Sequence, residues 1–263
     1  MDVLLTNDDG IDRPGLRALY DVLSEVGDVT VVAPTDDRSA VGRSMSSRVS
    51  VSEHPLGYGV DGTPADCVVA GLQALSPGAD LVVAGCNRGA NLGAYVLGRS
   101  GTVSAAVEAA FFERPAVAVS MYIPDDEVEF ESFEPAVDDF REAARATEYL
   151  AEHAVDAGVF DQADYLNVNV PMTADRPTMT VTEPSEVYDM DAVDEGGELV
   201  LTDRIWERMS RDDVPDPPGT DRRAVVEGRV SVSPLTAPHT THRHEALDGL
   251  VAAYEGSPSS ASQ

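Results

Sequence analysis

The sequence predicts an α/β fold built on a mainly parallel sheet, and three observations carry that prediction. Short apolar runs recur at residues 3–6, 29–33, 81–84, 116–119 and 165–170. Segments with apolar residues at 3.6-residue spacing alternate with them. The runs are apolar throughout instead of alternating in and out, as expected of strands covered by helices on both faces of a parallel sheet. A length of 263 residues is ample for one large core.

The elements follow in order. Residues 3–6 form a strand stopped by Asn7-Asp8-Asp9-Gly10, four turn formers. Pro14 suits the first turn of a helix that continues through Leu16, Leu19, Tyr20, Leu23 and Val26. The strand at 29–33 ends at Pro34. Thr63-Pro64-Ala65-Asp66 reads as a helix start, with Thr63 as N-cap, Pro64 at N1 and an acid at N3, and Val69, Leu72 and Leu75 continue it. After the run at 81–84 come a helix over 101–113, a strand at 116–119, a helix over 140–153 and a strand at 165–170 closed by Pro171. From 172 to 222 the pattern loosens into a stretch rich in Asp, Glu, Pro and Thr, an extension more than a core. Residues 225–232 return to strand-like alternation and 245–254 make a last helix. The expected organisation is a core over 1–171, an extended arm over 172–222, a return to the core with a C-terminal helix over 223–255, and a disordered tail over 256–263.

Composition narrows the function classes. Asp and Glu number 47 against 18 basic residues, a net charge of −29, and every basic residue is Arg. So acidic a chain lacks the basic face that a nucleic-acid polymer requires. At molar salt, where the Debye length shrinks to about 3 Å, such a surface ceases to repel itself, so the charge points to a salty interior. A GC-rich genome explains missing Lys but not the acid excess. No stretch reaches the ~18–20 apolar residues that cross a bilayer, and the acidic start, MDVLLTNDDG, has no basic n-region of a signal peptide. Two cysteines make no disulfide framework. A cytoplasmic protein with no membrane partner is expected.

Ligands of open parallel sheets bind outside the carboxyl ends of the strands. Three strand ends lead here into polar segments: Asn7 to Gly10, Pro34 to Ser39, and Gly85-Cys86-Asn87-Arg88-Gly89-Ala90-Asn91-Leu92-Gly93. If they converge, Asp8, Asp9, Ser39 and Asn87 offer an all-oxygen set suited to a hard divalent cation. Each signal is weak alone. Asp pairs also occur at 36–37, 125–126, 138–139 and 212–213, Ser39 is a loop serine, and Asn87 and Asn91 suit turns. Ser100-Gly101-Thr102 opens a helix; a plain N-cap is the ordinary reading, and a phosphate cradle the better one beside a metal site. A Walker motif is excluded for want of Lys. His239, His242 and His244 lack the spacing of a metal site, and Cys86 has no His partner that spacing identifies. Met45, Met121 and Trp206 are expected to pack.

At these residues the sequence resembles the SurE nucleotidases, the stationary-phase survival proteins. The matching segments are Leu4-Leu5-Thr6-Asn7-Asp8-Asp9-Gly10, Val32-Ala33-Pro34 with Arg38-Ser39, Gly62-Thr63-Pro64-Ala65-Asp66-Cys67-Val68, Gly85 to Gly93, Ser100-Gly101-Thr102-Val103, Leu166-Asn167-Val168-Asn169-Val170-Pro171, and Thr220-Asp221 leading into Glu227-Gly228. The resemblance implies a Rossmann-like three-layer core with an extended arm exchanged between subunits of a homodimer or homotetramer. It implies a phosphohydrolase acting on nucleoside 5′- and 3′-monophosphates through a metal-activated water. One divalent ion, Mg²⁺ or Mn²⁺, is then held by Asp8, Asp9, Ser39 and Asn87, with Asp8 and Asp9 also catalytic; Asn91, Ser100, Gly101 and Thr102 line the phosphate pocket. Two positions depart from the family pattern. Cys86 stands where an aliphatic residue is usual and is expected to affect packing alone, and Arg99 replaces a Tyr and adds charge at the pocket rim. A broad phosphatase for sugar phosphates or short polyphosphate, a non-catalytic nucleotide-binding module, and an oligomer built around a decayed site are the alternatives.

Overall fold

The computed structural model describes residues 1–124, 130, 132–211, 213–240 and 244–255. The first strand, β1 (Asp2–Thr6), lies in the interior of a nine-stranded sheet. In chain order follow α1 (Pro14–Val26), β2 (Asp28–Pro34), β3 (Ser50–His54), β4 (Gly57–Asp61), α2 (Pro64–Ala70), β5 (Leu81–Arg88), α3 (Ala94–Leu97), α4 (Gly101–Phe111), β6 (Ala116–Tyr122), α5 (Arg141–His153) and β7 (Tyr165–Pro171). The remainder comprises β8 (Met179–Val181), β9 (Met190–Asp194), β10 (Leu199–Asp203), α6 (Arg204–Ser210), α7 (Asp221–Val226), β11 (Val230–Leu235) and α8 (Glu245–Glu255).

Across the sheet the order is β3-β4-β2-β1-β5-β6-β7-β11-β8. The run from β4 to β7 is parallel throughout, with antiparallel pairings at β3–β4 and β7–β11. From β1 the chain winds outward to β2; after β4 it crosses back through α2 and enters β5 on the other side of β1. The order therefore reverses between β1 and β5, where diverging connections leave a crevice at the carboxyl ends of the strands.

Strand side chains alternate between two cores. On one face Val3, Leu5, Val31, Val83, Val117 and Leu166 pack with Leu16, Leu19 and Leu23 of α1 and Ala144 and Leu150 of α5. On the other, Leu4, Val32, Val82 and Ala118 pack with Cys67 and Val68 of α2 and Val103 and Ala106 of α4. The central strands are buried on both sides because helices cover both, which is why their sequences show no polar face. Thr63 caps α2 as expected: its hydroxyl accepts from the Asp66 N–H at 3.2 Å, and Asp66 accepts from the Thr63 N–H at 2.9 Å.

Two expectations are corrected. The strand-like pattern over 225–232 splits into the end of α7 and the start of β11, because Gly228 takes a positive φ of 71° and lets the helix close, with its N–H on the Val225 carbonyl at 3.0 Å. Met45 is 55% exposed and does not pack, whereas Met121 is buried and Trp206 packs on a third cluster formed by Leu92, Tyr122, Ile205, Met209, Val214 and Val225. Within 172–222, β8 joins the edge of the main sheet and β9 and β10 form a separate two-stranded hairpin. The tail at 256–263 and His242 lie outside the described residues. Among the described residues no helix is long and apolar enough to cross a membrane.

Candidate functional site

The tips of β1, β2 and β5 meet around Asp8 and Asp9. The Asn7 side chain folds the turn by donating to the Gly10 carbonyl at 2.8 Å, which turns the two carboxyl side chains out of the sheet. The loop after β2 docks on this turn through the Arg38 N–H, which donates to the Asp8 carbonyl at 2.7 Å. The end of β5 docks through the Arg88 N–H, which donates to Asp9 Oδ2 at 3.1 Å. From the far side, α4 presents Thr102: its hydroxyl donates to Asp8 Oδ1 at 2.5 Å and its N–H to Oδ2 at 3.2 Å.

These loops enclose a cavity of about 470 Å³ lined by Asp8, Asp9, Ser39, Asn87, Asn91 and Ser100 among others. Six of the eight residues picked out from the sequence thus line one cavity. Gly101 and Thr102 stand one layer back. Thr102 is fully buried and committed to Asp8, and a Cβ at Gly101 would come within 2.8 Å of the Asp8 Cβ and Oδ2. Ser100 caps α4, its Oγ accepting from the Val103 N–H at 3.1 Å.

Electrostatics mark the two carboxyls as costly to ionise. Burial, with Asp9 adding repulsion, pushes Asp8 up to about 7 against the pull of its Thr102 hydrogen bonds. Burial also lifts Asp9 to about 6, opposed by the Arg88 N–H and reinforced by Asp37. A cation between them would relieve both effects. Asn87 donates from Nδ2 to the Gly89 carbonyl at 2.6 Å, which leaves its Oδ1 as the atom that can ligate. Among the described residues no group of three or more His, Cys, Asp and Glu is placed to hold a metal. Asp8 and Asp9 with the neutral oxygens of Ser39 and Asn87 make an all-oxygen lining whose chemistry would suit a hard cation such as Mg²⁺ or Mn²⁺ better than zinc.

Several contributors escaped the sequence reading. Asn91 is held by β6 and β7: its N–H donates to Asn169 Oδ1 at 2.8 Å, its carbonyl accepts from Asn167 at 2.9 Å and Asn169 at 3.1 Å, and its Nδ2 donates to Ser120 at 2.8 Å. Asn at alternate positions of an otherwise apolar strand, as in Asn167-Val168-Asn169, was the available signal. Phe130 and Phe140 also line the cavity. Phe130 lies under the Arg88 guanidinium, 4.4 Å from its ring centroid. Arg99 lines the rim and lies over the Tyr95 ring at 5.3 Å. Cys86 is buried in the core beneath α1.

Comparison with known proteins agrees with this architecture. Residues 3–190 match the family described as Survival protein SurE. A protein named 5′-nucleotidase SurE from Haloarcula marismortui is 66% identical over 255 residues, covering 96% of this chain and 95% of the relative. One of the same name from Methanoculleus marisnigri is 36% identical over 261 residues, covering 97% of each. The crystal structure of the SurE protein from Aquifex aeolicus superposes with a TM-score of 0.76 at 29% identity, over 97% of this chain and all of that one. With this match spanning most of the chain and the three strand tips meeting at Asp8 and Asp9, the protein belongs to the SurE family.

Proposed function

We propose that this protein is a metal-dependent nucleotidase that removes phosphate from nucleoside 5′-monophosphates, and from 3′-monophosphates as well. The observation that carries the reading is that Asp8, Asp9, Ser39 and Asn87 line one cavity together with Asn91 and Ser100. The relatives named 5′-nucleotidase SurE support the substrate class.

Asp8 and Asp9, with Ser39 and the Asn87 Oδ1, would hold one Mg²⁺ or Mn²⁺. When bound, the ion neutralises the charge of the phosphate monoester and acidifies a nearby water. Asp8 orients the attacking water; Thr102 keeps its carboxylate from rotating. Asn91 and the Gly101 N–H at the start of α4 take up the non-bridging phosphate oxygens, since the Thr102 and Val103 N–H groups are already engaged by Asp8 and Ser100. Gly101 lets that turn approach Asp8 closely. Phe130 and Phe140 give the cavity an apolar part of its lining.

The test is phosphate release from a panel of 5′- and 3′-nucleoside monophosphates at molar salt, with Mg²⁺, Mn²⁺ or EDTA, alongside Asp8→Asn. Metal-dependent release lost in the variant is the expected result. Release that survives EDTA or Asp8→Asn overturns the reading.

The chain further assembles as a homodimer or homotetramer through the 172–222 segment. The hairpin supports this with Val193, Leu199, Val200 and Leu201 exposed to solvent. Light scattering at high salt is expected to give a multimer, and a monomer on deleting 190–203.

A further inference from the structure

The turn that carries Asn91 is gripped by a buried carboxylate 128 residues further along the chain. Asp221, at the start of α7, is fully buried; its Oδ2 accepts from the Gly93 N–H at 2.7 Å, and its Oδ1 accepts from the N–H groups of Ser185 at 3.0 Å and Arg222 at 2.8 Å. Arg222 is buried beside it. Its Nη1 donates to the Val187 carbonyl at 2.9 Å and Ser185 Oγ at 3.2 Å and pairs with Asp216 at 3.4 Å, and its guanidinium lies over the Tyr95 ring at 5.3 Å. The Ala94 N–H completes the clasp on the Ser185 carbonyl at 2.8 Å.

Gly93 is shaped for this clasp. Its φ of 85° is the left-handed kind that glycine adopts freely, and a Cβ there would stand 2.2 Å from Arg222 Nη2. A single buried residue, Leu92, separates Gly93 from Asn91. Asn91 is thus fixed on one side by Asn167 and Asn169 and on the other, through Gly93, by Asp221. Breaking one partner of a buried, hydrogen-bonded charge leaves the turn without its outer anchor, while none of these atoms touches the cavity wall.

On the nucleotidase reading above, we propose that Asp221 is a positioning residue for phosphate binding: it sets the Gly93 turn so that the Asn91 side chain faces the phosphate oxygens. Through it the segment from Ser185 to Asp221, which lies outside the parallel core, controls substrate affinity without contributing an atom to the cavity. Asp221 hydrogen-bonds to Gly93, Ser185 and Arg222 and to neither Asp8 nor Asp9, so metal affinity at that pair is expected to be independent of it.

The experiment is Asp221→Asn, Asn91→Ala and the double variant at molar salt. The affinity for inorganic phosphate is read by calorimetry in the presence of Mn²⁺, and KM for adenosine 5′-monophosphate by steady-state kinetics. Asp221→Asn is expected to weaken phosphate about tenfold, as for one misaligned hydrogen bond to an anion, to raise KM by a like factor, and to leave Mn²⁺ affinity unchanged. In the Asn91→Ala background it is expected to add nothing. Unchanged phosphate affinity in folded Asp221→Asn, or a full additional loss in the double variant, overturns the proposal. If Asp221→Asn does not fold, Ser185→Ala keeps the carboxylate and loosens Arg222; a smaller loss of phosphate affinity supports the proposal, and none overturns it. Since calorimetry needs no turnover, failure of the wild type to hydrolyse nucleotides counts against the nucleotidase reading alone.

Discussion

Thr102 donates from both its hydroxyl and its N–H to the two carboxylate oxygens of Asp8, 94 residues away in the chain. The contact joins the first turn of α4 to the tip of β1, so the groups proposed to bind phosphate and those proposed to bind metal move as one body. It also biases a buried carboxyl toward its charged form against the cost of burial.

Thr102→Val keeps the side-chain shape and the backbone bond but removes the hydroxyl. Asp8 is then freer to rotate and harder to ionise. We expect kcat/KM to fall about tenfold, with little change in Tm, because one hydrogen bond to a charged group is lost. Steady-state kinetics beside a thermal melt check it, and wild-type turnover would count against Asp8 being held by Thr102.

Gly101→Ala acts by shape. The added Cβ meets Asp8 at 2.8 Å, so one of the two must shift, while the helical backbone accepts alanine. A displacement of the carboxylate by a fraction of an ångström is expected to lower kcat about 10²-fold. Circular dichroism should remain that of the wild type; equal loss of structure and activity would mean that Gly101 serves the fold instead.

Acidity offers a third test. Folding raises Asp8 to about 7 and Asp9 to about 6 from an ordinary 3.8. The metal-free folded state therefore holds more protons than the unfolded one in this window. Its stability contribution from these groups is complete below 3.8 and is lost as pH rises through about 6 to 7. A cation binds the ionised pair and releases those protons. The Tm increase caused by Mn²⁺ should thus grow between about pH 5 and about pH 8 and then level off; an increase independent of pH would sink the assignment of the pair as ligands.

Salt dependence follows from the net charge of −29. Screening shortens from about 8 Å at physiological ionic strength to about 3 Å at 1 M, so repulsion among surface carboxylates revives on dilution. Tm is expected to drop on the order of 10 °C between molar and 0.1 M salt. Differential scanning calorimetry across a salt series decides it, and a flat series would leave the acidic surface without this role.

Much of this molecule was legible in its sequence, because the features concerned are local. Strand and helix periods, the Thr63–Asp66 capping box, the Ser100 cap and the placing of Asp8 and Asp9 just past a buried strand depend on residues within a few positions of one another. The ambiguous stretch at 225–232 failed for the converse reason: Val225, Val230 and Val232 fit a helix end or a strand equally until Gly228 is seen to turn. What the tertiary structure alone decided is adjacency. β1 lies between β2 and β5, an order that chain sequence does not dictate, and only that order brings Ser39, Asn87 and Asp8 to one cavity. It likewise placed Thr102 behind Asp8 and Asp221 against Gly93, contacts spanning 94 and 128 residues. Such pairings are set by the packing of two whole faces of the sheet, whose energy is spread over many side chains and leaves no spacing for a single segment to record.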